Sequence, residues 1–277
     1  MAKYICFPKG KAKALTMSYD DGVQEDIRLI DIFNKNGIKG TFNLNYGISS
    51  GEVTNSGARP RIPLDKIKGL YAGHEIATHS YSHPTLARCS ATDIAAEILK
   101  DREGWEALTG QIVRGHAYPN CSYNEEIKNI FSSLGIAYGR VVPTTGGFEL
   151  PTDPMEWHAT CHHSDPRLMD LAREFADFKK SQYLKLMYVW GHAYEFEESE
   201  SYGWEVIEEF CEFMGGRDDI WYATNIEIID YLNAAKQIRF SADSSFAYNP
   251  TTTSVWVQVD GEKYVELEPR KTTNCSI

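Results

Sequence analysis

The sequence predicts an α/β fold in which parallel strands are joined by helical crossovers, as a barrel or as a doubly wound sheet. Strand-like and helix-like segments alternate about seven times between Ala12 and Lys236. The run 184–190 is apolar almost throughout, which is typical of a strand covered on both faces. With 277 residues, 42% of them hydrophobic, the chain can bury the core of one large domain or two small ones.

Each element is predicted from hydrophobic spacing and from the residues that stop it. In the first half these are a strand from Leu15 that ends at Asp20-Asp21-Gly22, a helix over 23–36 before Gly37, a strand over 40–45, a Gly-, Ser-, Asn- and Pro-rich loop over 46–63, a helix over 64–71, a strand that ends at Thr78, and a helix over 90–108 between a Ser90 cap and Gly110. In the second half they are a strand over 111–114, a helix over 124–134, a strand over 136–142, a helix over 167–180, the strand over 184–190, a helix over 204–214, a strand over 220–223 and a helix over 226–235.

The pattern changes after Ile238. Two short strand-like runs, 254–259 and 263–267, flank an Asp260-Gly261 turn, which predicts a β-hairpin. We therefore expect a catalytic domain over 1–237 and a small β-rich extension over 238–277, packed on that domain or on a neighbouring subunit in an oligomer.

The amino-acid composition argues against several classes of function. A net charge of -11 argues against nucleic acid or an anionic membrane as the partner, because both need a basic face. The sequence lacks a run of about 18 apolar residues and an N-terminal signal-peptide core, so we expect a cytoplasmic protein. Its six cysteines include no C-x-x-C pair, which favours reduced thiols over disulfides or a thiolate zinc site.

Two adjacent carboxylates, Asp20 and Asp21, follow the first buried strand. Such a pair is costly to bury, so it favours a bound cation, or a division of labour in which one carboxylate binds metal and the other moves a proton. The alternative is an ordinary strand-to-helix turn, in which Asp-Gly is common.

Histidines stand where two other predicted strands end. His79 and His83 are four residues apart, a spacing at which two imidazoles can share a metal, with Asp21 or Asp20 as third ligand. Two histidines and a carboxylate favour Zn²⁺, although Co²⁺ or Ni²⁺ suits the same ligands. His192 follows the run 184–190. Active sites of parallel barrels lie at this end of the strands.

These motifs resemble those of the polysaccharide deacetylase family, also called the NodB homology domain or carbohydrate esterase family 4. The resemblance rests on Ser18-Tyr-Asp-Asp-Gly22, His79-Ser-Tyr-Ser-His83 and Trp190-Gly-His192. It implies a distorted seven-stranded β/α barrel. It also implies Asp20 as general base, Asp21 with both histidines as metal ligands, and His192 as general acid, with Trp190 lining the acetyl pocket.

Two of the family's motifs are altered in this chain. Ala117-Tyr118-Pro119-Asn120 stands where many members carry an arginine that braces the base, and Arg114 is a candidate replacement. By the resemblance Tyr118 contacts substrate, the Asn120 backbone N–H holds the oxyanion, and Trp157 walls the groove. No role is assigned to His158, His162 and His163, and we expect at least two of them to lie on a surface loop.

The resemblance implies a hydrolase that removes acetyl groups from an N- or O-acetylated carbohydrate, with metal-bound water as the nucleophile. Two alternatives remain open at this stage. One is a hydrolase of cyclic amides or ureides on the same scaffold. The other is a non-catalytic carbohydrate-binding protein, for which a metal ion would be unnecessary.

Overall fold

A computed structural model describes residues 3–54, 59–261 and 263–276. The strands are β1 (Lys3–Cys6), β2 (Lys13–Asp20), β3 (Gly40–Leu44), β4 (Glu75–Thr78), β5 (Gly115–Ala117), β6 (Tyr138–Thr144), β7 (Trp157–Ala159), β8 (Cys161–His162), β9 (Lys185–His192), β10 (Ile220–Tyr222), β11 (Arg239–Phe240), β12 (Phe246–Tyr248), β13 (Val255–Val259), β14 (Lys263–Leu267) and β15 (Thr272–Asn274). The α-helices are α1 (Asp26–Lys35), α2 (Tyr46–Ser49), α3 (Leu64–Leu70), α4 (Ala91–Thr109), α5 (Glu125–Ser133), α6 (Leu168–Asp177), α7 (Glu195–Glu198), α8 (Trp204–Met214) and α9 (Asn225–Ala235). Single turns of 3₁₀-helix lie at Pro8–Gly10, Leu86–Arg88, Pro119–Cys121 and Pro154–Glu156.

The central sheet is parallel and closes into a barrel, which confirms the predicted fold class. The strands run in the order β7-β6-β5-β4-β3-β2-β9-β8. The segment 157–162 joins the two ends, because its first half pairs with β6 and its second half with β9. Between those halves the Thr160 N–H donates to the Tyr188 carbonyl at 2.8 Å. If β7 and β8 are counted as one interrupted strand, the barrel has seven strands.

The seven strands are not the seven that the sequence pattern suggested. β10 lies over the predicted range 220–223, but it pairs with β2 only at residues 13–15. β9 pairs with β2 along its whole length, so β3 and β10 share the other edge of β2. The segment 157–162 was not predicted, and it takes the closing position.

β2 is the strand around which the barrel is built, and all eight of its residues are buried. Side chains alternate along a strand. One set, Leu15, Met17 and Tyr19, belongs to the apolar core that also includes residues of α1 and α8. Three residues of the alternate set, Thr16, Ser18 and Asp20, are polar. Thr16 donates to Asn225, and Asp20 accepts from Asn43 of β3.

Most predicted elements outside this strand are present with small changes in length. The helices predicted over 90–108, 124–134 and 204–214 correspond to α4, α5 and α8, and the Ser90 side chain caps α4 by accepting from the Asp93 N–H. The predicted hairpin is formed by β13 and β14. The strand predicted over 111–114 is wrong in position, because β5 begins at Gly115.

The C-terminal strands form two small antiparallel sheets. One of them, β1-β13-β14, includes a strand from the N-terminus, which the sequence analysis did not predict. Segments from the first and last parts of the described chain, β1 and β13, are therefore hydrogen-bonded to each other. The division into domains at residue 237 stays a prediction.

In the part of the chain that the structure describes, no helix has the length and apolar character needed to cross a membrane. All six cysteines are free thiols, as the absence of a C-x-x-C pair predicted.

Candidate active site and metal centre

Parallel strands place their carboxyl ends at the same end of the barrel, and polar groups from five strands or the turns after them meet there. All are side chains except the one from β5, which is the backbone carbonyl of Ala117. They are supplied by the end of β2, the turn after β4, the end of β5, the middle of β6 and the end of β9. Asp20, at the end of β2, lies with its Oδ2 3.9 Å from the Nε2 atoms of both His79 and His192. Residues far apart in sequence thus surround one small volume.

Asp21, His79 and His83 form a group that could hold a metal ion. One ligand atom from each lies within 4.8 Å of the other two. His79 Nδ1 is 2.7 Å from the Ala117 carbonyl oxygen, so it carries the proton and donates it. Nε2 is then free to bind a cation, and this second hydrogen bond is what metal-binding histidines ordinarily make. Burial lowers the pKa of His79 to about 4, which keeps the ring neutral, as a ligand must be.

Local backbone geometry turns these three side chains toward one point. Asp21, Ser80 and His83 have φ angles of 84°, 63° and 58°, which side-chain-bearing residues seldom adopt. The turn after β4 is held by Asn45, whose Nδ2 donates to the carbonyls of His79 and Ser80 at 2.6 and 2.7 Å. Arg61 donates to the Asp21 carbonyl, and its Nη1 lies 3.6 Å from Asp21 Oδ1.

Asp20 is a buried carboxylate whose two oxygens have different partners. Oδ1 accepts from Asn43 Nδ2 at 2.8 Å, and Oδ2 accepts from Arg140 Nη2. Burial by itself would raise the pKa of Asp20, but the Arg140 guanidinium, with His79 and His192, lowers it to about 2. Asp20 is therefore ionised at neutral pH despite being only 2% exposed.

Arg140 is a site residue that the sequence analysis missed. It lies on β6, opposite Ala117 of β5 in the strand register, and is 1% exposed. Arg114, the candidate predicted for this role, instead pairs with Asp230 at the partly exposed edge of α9. Arg114 precedes β5 and its guanidinium is bound to Asp230, so the candidate replacement that the sequence left open is not the residue that contacts Asp20. An arginine inside the otherwise apolar run 138–142 was the available signal.

His192 is the last residue of β9, and Glu195 contacts the nitrogen of its ring that faces away from Asp20. Its Nδ1 lies 3.2 Å from Glu195 Oε1, so Nδ1–H donates and Nε2 is directed toward Asp20. Burial disfavours the charged imidazole, but the hydrogen bond to Glu195 and the charge of Asp20 raise the pKa of His192 above its ordinary value. Such a histidine holds a proton more readily at neutral pH than a free imidazole does.

His162 and His163 lie beside the same carboxylate, contrary to the expectation that at least two of the three unassigned histidines sit on a surface loop. Their Nε2 atoms are 3.2 and 3.0 Å from Glu195 Oε2. His163 is fully buried, and burial lowers its pKa to about 4. One ligand atom from each of His162, His163 and Glu195 lies within 4.8 Å of the other two, so these residues form a second group that could hold a metal ion.

The residues predicted to bind substrate differ in where they lie. Trp190 lies beside His192, with ring centroids 5.8 Å apart, and its ring is also 4.2 Å from the Arg140 guanidinium carbon and 4.6 Å from the ring of His162. Asn120 is exposed in the turn after β5. Tyr118, by contrast, is buried and donates to the Met155 carbonyl at 2.9 Å.

Trp157 is also not where the resemblance placed it. It is 1% exposed and packs edge to face against Tyr138 and Tyr188 inside the barrel. A side chain in that position cannot wall an open groove, so we assign Trp157 and Tyr118 to the core. His158 is the histidine that does lie at the surface, 33% exposed beside Glu156.

The sequence of this chain is similar to that of a known protein family. Residues 8–139 match the family model described as polysaccharide deacetylase. The predicted resemblance to that family is confirmed. The matched region includes Asp20, Asp21, His79 and His83, and it ends one residue before Arg140. The residues around His192 lie beyond it.

Individual relatives agree with the family match. A chitin deacetylase from Arthroderma benhamiae is 36% identical over 88 residues, which are 31% of this chain and 22% of that protein. A structure of a family 4 carbohydrate esterase from Streptomyces lividans in complex with acetate has a TM-score of 0.52 at 11% identity, covering 77% of this chain and 93% of the esterase. The PuuE allantoinase structure has a TM-score of 0.57 at 13% identity, covering 81% and 91%.

The structural matches and the curated relatives support different conclusions. The two structural matches are too distant in sequence to show more than a shared fold. The chain spans less than a quarter of the length of the curated relatives it matches, a chitin deacetylase and a peptidoglycan-N-acetylglucosamine deacetylase from Listeria monocytogenes.

Proposed function

We propose that this protein is a metal-dependent hydrolase that removes acetyl groups from an acetylated carbohydrate. The observation that carries the proposal is the position of Asp20. This ionised carboxylate lies 3.9 Å from His79, a residue of the candidate metal group, and 3.9 Å from His192, whose pKa is raised. A base and an acid thus flank the point at which a cation would hold the substrate carbonyl. The family match and the similarity to a chitin deacetylase support acetylated sugar as the substrate class.

Asp21, His79 and His83 are the residues that would hold the cation. Two neutral imidazoles and one carboxylate suit Zn²⁺ and leave a coordination position open, although Co²⁺ and Ni²⁺ accept the same donors. When bound there, the ion supplies a Lewis acid that polarises a carbonyl and lowers the pKa of water.

Asp20 serves as the base. It stays ionised because Arg140 and Asn43 each hold one of its oxygens, and these two contacts also fix its direction. A carboxylate so held accepts the proton of the attacking water without rotating away from it. The open face of the carboxylate is the one that His79 and His192 border.

His192 serves as the acid. Donation of Nδ1–H to Glu195 leaves Nε2 on the side of Asp20, and a proton bound at Nε2 can pass to the departing amine or alkoxide. The Trp190 ring lies beside both His192 and Arg140, so it shapes the space between acid and base. That space is where we place the acetyl group.

The test is an assay of acetate release from N-acetylated chito-oligosaccharides and O-acetylated xylan, with zinc supplied. Asp20→Asn and His192→Ala should each lower turnover by at least about a hundredfold while the bound zinc is unchanged. Arg114→Ala, which alters only a surface ion pair, is the matched control and should behave as wild type. Near-normal turnover in both of the first two variants would refute the assigned roles.

The shared fold with an allantoinase favours one alternative, hydrolysis of cyclic ureides or imides. Allantoin and a simple cyclic imide should be assayed beside the acetylated sugars. Turnover of these compounds, without acetate release from the sugars, would replace the proposed substrate class while keeping the same acid and base. A carbohydrate-binding protein without activity would show neither turnover nor stoichiometric zinc.

A further inference from the structure

Behind the acid His192, one carboxylate is surrounded by three imidazoles. Glu195 Oε1 is 3.2 Å from His192 Nδ1, and Oε2 is 3.2 Å from His162 Nε2 and 3.0 Å from His163 Nε2. Burial alone would raise the pKa of Glu195, but these three hydrogen bonds hold it well below its usual value. The carboxylate is therefore charged and accepts from all three rings.

The tautomers of His162 and His163 follow from the groups that their ring nitrogens contact. The Ser164 backbone N–H donates to His162 Nδ1 at 3.2 Å, so that nitrogen has no proton and Nε2 carries it. The Ser164 hydroxyl, 2.7 Å from the same Nδ1, is then also a donor to it.

On His163, Nε2 lies 3.0 Å from Glu195 Oε2 and 3.4 Å from the Tyr202 hydroxyl. An ionised carboxylate can only accept, so Nε2 carries the proton, and Nδ1, 3.3 Å from the Tyr19 hydroxyl, is left as an acceptor. Each ring therefore directs an N–H at Glu195.

This assignment decides between a hydrogen-bonded cluster and a second metal site. His162, His163 and Glu195 are close enough to surround a cation. A metal on Nε2 would require the proton on Nδ1, where the Ser164 N–H already points at His162. The geometry therefore favours hydrogen bonds over a cation at this position.

We propose that His162 and His163 are positioning residues that act on the acid through Glu195. Their two N–H groups and the His192 backbone N–H, 3.4 Å away, anchor Oε2, so that Oε1 is the oxygen that accepts Nδ1–H of the His192 ring. This fixes the tautomer and direction of His192, with Nε2 on the side of Asp20. The role of this cluster in turnover rests on the proposed function, but the tautomer of His192 does not.

Packing around the cluster supports a requirement for fixed geometry. His163 lies between Tyr19, with ring centroids 5.7 Å apart, and Phe196, at 4.2 Å. Gly191 lies against it so closely that a Cβ there would be 2.1 Å from His163 Nδ1. The glycine between Trp190 and His192 therefore leaves the space that His163 occupies.

The experiment compares two replacements of His162, which is partly exposed and so tolerates change better than His163. His162→Gln keeps an N–H donor near the place of Nε2, whereas His162→Phe keeps a flat ring beside Trp190 but has no donor. We expect His162→Phe to lower kcat about tenfold with KM and zinc content unchanged, and His162→Gln to restore most of the rate.

A second measurement does not depend on the reaction. In metal-free protein, ¹⁵N-edited NMR of the imidazoles should show His192 with its proton on Nδ1, and this proton should exchange with water faster in His162→Phe than in His162→Gln. If wild type shows no turnover but the NMR result holds, the proposed function fails and the positioning role stands.

Two outcomes would overturn the proposal. One is a kcat in His162→Phe within twofold of wild type, together with an unchanged His192 spectrum. The other is a second equivalent of zinc in wild type that both His162 variants lose, because the cluster would then be a metal site. Zinc titration of wild type and the two variants decides this point.

Discussion

Arg140 on β6 donates from Nη2 to Oδ2 of Asp20 on β2, and both side chains are almost fully buried. The contact crosses the inside of the barrel, between strands 120 residues apart in the chain. Ala117, the residue that the resemblance aligns with the family's arginine, lies beside Arg140 in the register and has no side chain that could reach Asp20. The brace is supplied by the neighbouring strand.

Removal of this guanidinium should damage both function and stability. Arg140→Met leaves Asp20 as a buried, uncompensated charge, which costs about 3–5 kcal/mol and raises the pKa of Asp20. Acetate release should fall by more than about tenfold, and the melting temperature should drop. Arg140→Lys retains a charge and should lose less stability than Arg140→Met.

The matched control for this pair is Arg114→Ala. Arg114 belongs to a surface ion pair with Asp230, and such pairs contribute about 0–1 kcal/mol. If Arg114→Ala impaired turnover as strongly as Arg140→Met, the assignment of the brace to Arg140 would be wrong.

The rate should depend on pH through His192, which must be protonated to act as the acid. Its pKa is raised above the ordinary 6.5, so kcat should fall on the alkaline side only above that pH. Glu195→Gln replaces the charge that stabilises the imidazolium, and the alkaline limb should move to lower pH. The exposed Glu197→Gln on the same helix is the control and should leave the profile in place.

Gly191→Ala should be harmful although it adds one methyl group. The new Cβ would meet the ring of His163, which cannot withdraw because it is buried among Tyr19 and Phe196. We expect a destabilisation of about 1–3 kcal/mol and a reduced rate.

Gly69→Ala, in α3, serves as the comparison for this substitution. Nothing lies within 4 Å of a Cβ there, and alanine is favoured in helices by about 0.5–1 kcal/mol. Equal denaturation midpoints for the two glycine variants would contradict the close approach of Gly191 and His163.

Stability should depend on pH through Glu75, which is buried in the barrel away from the site. Burial raises the pKa of Glu75 to about 7, although hydrogen bonds from Ile226, Tyr138 and Thr41 act in the opposite direction. Its folded-state pKa exceeds the ordinary 4.5, so stability is fully present below pH 4.5 and is lost as pH rises toward 7. The loss should total about 3 kcal/mol.

Glu75→Gln does not ionise, so it isolates this contribution. Urea titrations at pH 4.5 and pH 8 give the unfolding free energies of wild type and Glu75→Gln. Between these two pH values the stability of Glu75→Gln relative to wild type should rise by about 3 kcal/mol. A difference that is constant across this range would show that Glu75 ionises freely in the folded protein.

The sequence was sufficient to predict those site residues that end a strand. Asp20, Asp21 and His192 each follow a recognisable apolar run, and parallel strands bring such ends together whatever the details of packing. His79 and His83 were predictable because their spacing is local.

The remaining site residues depend on how the barrel closes. Arg140 reaches Asp20 across the interior, and His162 meets Glu195 only because 157–162 is placed beside β9. That segment divides its pairing between β6 and β9, so it has neither the length nor the alternation that predicts a strand. The same closure buries Trp157, which the family resemblance had placed at the groove.

Zinc stoichiometry tests the central claim. The claim is that Asp21, His79 and His83 hold one divalent ion, and that Asp20 lies beside the ion without binding it. Chelator-treated protein is reloaded with zinc, desalted and analysed for metal, as wild type and as Asp21→Ala, His79→Ala, His83→Ala and Asp20→Asn. The account predicts one equivalent in wild type and in Asp20→Asn, and a loss of most of the zinc in each of the other three. One full equivalent retained in Asp21→Ala and His79→Ala would contradict it.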